Sequence, residues 1–218
     1  MEYFFFDIET VGSYENFEQF KLNDQKGSEL FESKYNKIWK DQFSIEEAYI
    51  NNAGIISTYG KIVCISYGYI QNDGNLFIRS IYDDNEQDII TKFNKVLEKV
   101  QTKSFNLSGF RVMYFDIPWF LHKCHKWRIK PAEIISTYKT KPWDMRISDL
   151  ADDWKGKFAW SYTFDEMIYE LDLQSPKDKM SGSDVHQKYW SGNLKDIVEY
   201  CEKDVISCIE SSKIIYNL

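Results

Sequence analysis

A chain of 218 residues, 43% hydrophobic and 17% aromatic with seven Trp, has the length for one α/β domain and the apolar material for a sizeable core. Its formal net charge of −7 excludes a broad basic face that coats duplex DNA, though not a nucleic-acid enzyme whose bound metals supply local positive charge. No segment approaches the length of a membrane span and no basic-then-apolar leader opens the chain, so we expect a cytoplasmic domain over 1–218 with no membrane partner.

The aromatic run 3–8 (YFFFDI) predicts a central strand buried on both faces. The polar, helix-prone stretch 11–56 reads as a helical insertion before the next strands. Those strands are predicted at 61–68 and 76–82, with QNDG between them as a hairpin signal. Helical periodicity covers 86–99, a short strand falls near 104–108, and a helix runs from about 117 to 127. Alternation in DMRISDL predicts a strand near 144–150, and Thr163 with Glu166 forms a capping box that opens a helix. The tail from Asn193 to Ile215 is amphipathic and helical. Strands interleaved with helices imply a mixed sheet covered by helices.

Acidic residues stand at the start, middle and end of this framework. Asp7 and Glu9 are two apart on a strand and so project to one face. Charges on a buried strand must be solvated, paired or metal-bound. Asp116 precedes Ile117 and Pro118, and taken alone it reads as a helix N-cap rather than a ligand. Tyr200 and Asp204 are four apart on the last helix and share a face. If the fold gathers the four acids, they form an oxygen-rich pocket for two divalent cations with a phenol beside it.

The order Asp-x-Glu, Phe-Asp, Tyr-x-x-x-Asp resembles the DEDD (DnaQ-like) exonuclease superfamily in its tyrosine-type branch. The match is to stand-alone 3′–5′ exonucleases related to the proofreading domain of family-B DNA polymerases. It runs through FFFDIETV, EEAYINNAGIISTYGKIVCISYGY, SGFRVMYFDIPWF, LQSPKDKMSGSDVH and DIVEYCEKDV, nearly the whole chain apart from much of 11–45. The histidine-type branch would place His where this chain has Glu199. The resemblance implies an RNase H-like α/β fold, a five-stranded mixed sheet with helices on both faces. It implies two Mg²⁺ or Mn²⁺ ions held by Asp7, Glu9, Asp116 and Asp204, with Tyr200 orienting the attacking water. It further implies 3′–5′ hydrolysis of single-stranded nucleic acid to mononucleotides, DNA in preference to RNA. An all-carboxylate set suits hard cations rather than zinc.

The alternatives are a 3′–5′ exoribonuclease and a non-catalytic RNase H-like module that binds nucleic acid or protein. Retention of all four acids and Tyr200 speaks against the second. Fourteen residues follow Asp204, so no polymerase is expected after it.

Around this set, Arg111, Phe115 and Lys177 are assigned to substrate binding. Arg111 departs from the resemblance, which would place Asn five residues before Asp116. Lys177 lies in SPKD, between the second and third motifs. Residues 121–142 hold six Lys or Arg against one acid, interleaved with Trp127 and Tyr138. That reversal of charge either tracks a single-stranded backbone or is a solvated helix face. His122, His125 and His186 read as non-ligands. The four cysteines (Cys64, Cys124, Cys201, Cys208) read as reduced thiols, with Cys201 and Cys208 packed in the core.

Overall fold

A computed structural model describes residues 2–136, 140–141, 144–158, 160–175 and 180–218. Strand β1 (Glu2–Gly12) is central to a five-stranded sheet ordered β3-β2-β1-β4-β5. Its neighbours are β2 (Gly60–Ile70), antiparallel to it, and β4 (Phe105–Gly109), parallel. Strand β3 (Leu76–Tyr82) pairs antiparallel with β2, and β5 (Ile147–Asp149) parallel with β4. The 71–75 turn between β2 and β3 closes through Gln71 N–H to the Asn75 carbonyl at 2.8 Å, with Gly74 at φ +83°.

The expected two-sided burial of β1 holds, and its alternation sorts the core. Phe4, Phe6 and Ile8 join Phe93 of α4 (Glu86–Val100) and Phe120 of α5 (Asp116–Lys126) on one face. Phe5 points to the other face, against Val205 and Ile209 of α9 (Leu194–Tyr216). The strand is longer than its aromatic run predicts and carries both acids inside its pairing with β2. Asp7 faces Ser66 and Glu9 faces Cys64 before one extra residue on β2, Val63, shifts the register.

Between β1 and β2 the chain runs through α1 (Phe17–Asn23), α2 (Gln25–Ile38) and α3 (Ile45–Asn52). These helices hold their own aromatic cluster of Phe17, Phe20, Phe31, Tyr49 and Tyr59. His186, on α8 (Val185–Trp190), ties this unit to the sheet. Its Nδ1 accepts from Gly12 N at 3.1 Å, so the proton sits on Nε2, which donates to the Glu15 carbonyl at 2.8 Å. A Cβ on Gly12 would lie 2.9 Å from the His186 ring, so glycine there makes room for the contact. The short helices α6 (Leu150–Lys155) and α7 (Phe164–Glu170) follow β5, α7 beginning at the expected capping box of Thr163 and Glu166. Among the described residues no helix is long and apolar enough to cross a membrane.

Candidate active site

The odd-numbered residues of β1 face α9, so Asp7 and Glu9 extend toward the helix that carries Tyr200 and Asp204. One turn of helix separates those two, and both are buried. Asp116 arrives from the first residue of α5. It does not cap that helix: the N-cap is Phe115, without a side-chain bond, and the Asp116 Oδ1 instead accepts from Ile8 N on β1 at 3.0 Å. The carboxylate is thereby pinned to the strand between Asp7 and Glu9.

The cost of gathering these acids shows in their protonation. Burial, followed by the charges of Asp116, Glu9 and Asp204, raises Asp7 well above the ordinary carboxylate range. Burial and then Asp204 do the same to Glu9. Asp116 is pushed up to about 8, chiefly by burial, with the Ile8 N–H opposing. Tyr200 is driven upward by burial first and then by Asp204, Glu9 and Asp7, so its phenol is neutral and a poor base. Three carboxylates that resist ionising together, with Asp204 beside them, are a donor set suited to hard divalent cations, which would replace the protons.

Two participants escape sequence reasoning. The Cys201 thiol, next to Tyr200, donates to Asp7 Oδ2 at 3.3 Å and lies 3.5 Å from the Asp7 carbonyl oxygen. Ligand atoms of Asp7, Glu9 and Cys201 lie within 4.8 Å of one another. Its burial in the core was legible, its aim at Asp7 was not. Asp149, at the end of β5, accepts from the N–H groups of Arg111 at 2.9 Å, Met113 at 2.9 Å and Ala151 at 3.0 Å. It thus holds the turn that delivers Asp116, and nothing in DMRISDL signals that role.

Comparison with known proteins places the chain in a family and a fold. Residues 55–209 match a family described as predicted 3′–5′ exonucleases related to the exonuclease domain of PolB. The chain belongs to this family. The matched stretch contains Asp116, Tyr200 and Asp204, while Asp7 and Glu9 precede it and join them through β1. A putative DNA polymerase, 060R, of Frog virus 3 (isolate Goorha) is 26% identical over 152 residues, 58% of this chain and 15% of the viral protein. The family B DNA polymerase of the hyperthermophilic archaeon Pyrobaculum calidifontis superposes with a TM-score of 0.60 at 13% identity. That likeness covers 99% of this chain and 24% of the polymerase, and it shows the RNase H-like fold.

The remaining expected site residues of this family member separate. Arg111 adopts φ +58°, an uncommon conformation for a side-chain-bearing residue, and its guanidinium donates to the Tyr162 carbonyl at 3.1 Å. Phe115 is half-buried, its ring 5.9 Å from that of Trp119. Lys177 lies outside the described residues, as do Tyr138 and Lys139. In the basic stretch 121–142, Lys123 is not a surface charge, while Arg128 and Lys130 are exposed. Lys123 is buried against Glu86 at 3.2 Å, and Lys126 and Trp127 also bond that carboxylate. His122 contacts Ser57 Oγ at 2.7 Å and His186 is structural. The four cysteines are free and buried.

Proposed function

We propose that this chain is a metal-dependent 3′–5′ exonuclease that hydrolyses single-stranded DNA from its 3′ end to mononucleotides. The observation that carries the reading is the gathering of Asp7, Glu9, Asp116, Tyr200 and Asp204 around the 7–9 segment of β1. Two Mg²⁺ or Mn²⁺ ions, when bound, supply Lewis-acid polarisation of the scissile phosphate and charge neutralisation around it. Asp7, Glu9 and Asp204 would hold one ion, and Asp7 with Asp116 the other. The Tyr200 hydroxyl, kept neutral by its surroundings, positions the attacking water by hydrogen bonding rather than by removing its proton. Family membership and the polymerase likeness support the reading. The deciding experiment incubates end-labelled DNA and RNA strands of one sequence with Mg²⁺ and with a chelator. Metal-dependent shortening of the DNA from its 3′ end is expected; preferential loss of the RNA would make the chain an exoribonuclease, and no shortening of either would leave a binding module.

Two substitutions separate positioning from ligation. Tyr200→Phe keeps the ring and removes the hydroxyl, so kcat should fall about 10²-fold while the Mn²⁺ concentration for half activity stays put. Unchanged turnover when chemistry is rate-limiting would reduce Tyr200 to packing. Cys201→Ala removes the donor to Asp7 Oδ2, a weak bond of roughly 0.5–1 kcal/mol. Calorimetric Mn²⁺ affinity should therefore weaken about two- to five-fold, and Cys201→Ser should restore most of it. Equal affinities in all three proteins would leave the thiol as core filling.

A further inference from the structure

The turn that ends in Asp116 has a second side. There Arg111 and Tyr114 line a cleft of about 410 Å³ together with Ala151, Asp152, Lys155, Ser161 and Tyr162. Ser161 and Tyr162 form its far wall, and two large aromatic rings stand in solvent just before them in the chain. Phe158 is 62% exposed and Trp160 76%, and Tyr114 across the cleft is 67% exposed. Rings of this size are costly to leave in water unless something covers them. The Phe158 N–H bonds the Lys155 carbonyl at 3.1 Å and the Tyr162 carbonyl accepts from Arg111, so Phe158 and Tyr162 are each tied to a residue of the cleft lining.

The charge here runs against that of the chain. Arg111 and Lys155 line the cleft and Lys157 adjoins Phe158 in the chain, while the acid of the lining, Asp152, accepts from the Tyr114 hydroxyl at 2.8 Å. A covering group should therefore be anionic and offer flat apolar faces. Unpaired nucleotides answer both demands: bases stack on aromatic rings while phosphates meet cations. We infer that the Trp160–Phe158 loop with Tyr114 and Arg111 is a stacking surface for the unpaired bases of a single-stranded nucleic acid. It deepens the exonuclease reading and rests on it. The platform would grip the strand beside the turn that leads through Arg111 and Tyr114 to Asp116, leaving the carboxylates to the terminal phosphodiester.

The test measures binding without turnover. Fluorescence anisotropy of a labelled oligothymidylate is recorded in chelator, with Asp7→Asn as background. Trp160→Ala should weaken binding about tenfold, Phe158→Ala somewhat less, and Trp160→Phe should retain most of the affinity because stacking survives. Arg111→Ala should flatten the dependence of log Kd on log salt by about one phosphate contact. All these side chains are exposed, and unchanged thermal midpoints would exclude misfolding. Wild-type affinity in both Trp160→Ala and Phe158→Ala overturns the inference and leaves the face to a protein partner. A chain that binds through Trp160 yet never cleaves keeps the platform and loses the nuclease. A chain that cleaves with Mg²⁺ while Trp160→Ala binds as wild type keeps the nuclease and loses the platform.

Discussion

Asp7→Asn should lower nuclease activity about a thousandfold or more while making the metal-free protein more stable above pH 6. The first half follows from position. Asp7 is the carboxylate assigned to both cations, and losing it forfeits about 4 kcal/mol of transition-state stabilisation. The second half follows from protonation. In the metal-free fold Asp7 and Glu9 are raised well above ordinary carboxylates and Asp116 to about 8, first by burial in each case. Groups raised in the folded state hold protons that the unfolded chain has already released. Stability therefore falls as pH climbs from near 4 toward 8. Asparagine at position 7 cannot ionise, so it removes one contributor to that slope. Mg²⁺ or Mn²⁺ should reverse the trend in the wild type by binding the native state alone, with about 2.7 kcal/mol gained at a hundredfold excess over Kd. That gain should grow with pH, as protons cease to compete, and should largely vanish in Asp7→Asn. Thermal melts from pH 5 to pH 8, with and without metal, measure all three quantities. A variant that still shortens DNA at the wild-type rate would remove Asp7 from the site.

The parts of the site legible in the sequence are those fixed by local spacing. Asp7 and Glu9 could be placed on one face because a strand repeats every two residues, and Tyr200 with Asp204 because a helix brings i and i+4 together. Asp116 was ambiguous for the same reason: its local surroundings suit a helix cap, and only the bond to Ile8 N, from a distant strand, decides its use. Cys201 and Asp149 were hidden because their partners, Asp7 and the 111–113 turn, lie in other elements. The helices α6 and α8, six residues each, are too short to show a helical period. The exposed rings of Phe158 and Trp160 escaped because local spacing does not separate a solvent-facing tryptophan from a buried one. The clearest misreading was Lys123, counted with its neighbours as surface charge although its partner Glu86 stands at the start of α4.

That pair yields the second large effect. Lys123 is 1% exposed, and its Nζ donates to the Ser57 carbonyl at 2.8 Å and to the Gly60 carbonyl, with Glu86 Oε1 at 3.2 Å. Glu86 in turn accepts from Ile62 N at 2.9 Å, Trp127 Nε1 at 2.9 Å and Lys126 Nζ at 3.1 Å. Burial pushes Glu86 upward, but Lys123 and Lys126 outweigh it and hold the carboxyl below its ordinary value. Burial lowers Lys123 to about 8 despite Glu86, so the lysine charge is the marginal member of the pair. Glu86→Gln preserves shape and removes the anion, leaving a buried ammonium facing carbonyls alone. Breaking such a pair costs about 3–5 kcal/mol, and that loss should appear in chemical denaturation at pH 6. Without Glu86 the folded lysine releases its proton at lower pH than in the wild type. Above about pH 8 it is neutral in both folded proteins, so the part of the loss due to its charge should fade there. Because Lys123 lies on α5 and its acceptors lie at and just before the start of β2, the pair also clamps the helix that carries Asp116. Glu86→Gln should thus weaken Mn²⁺ binding at pH 6 and regain part of it at pH 8.5. A variant with the wild-type denaturation midpoint at pH 6 would mean the buried pair contributes nothing to the fold.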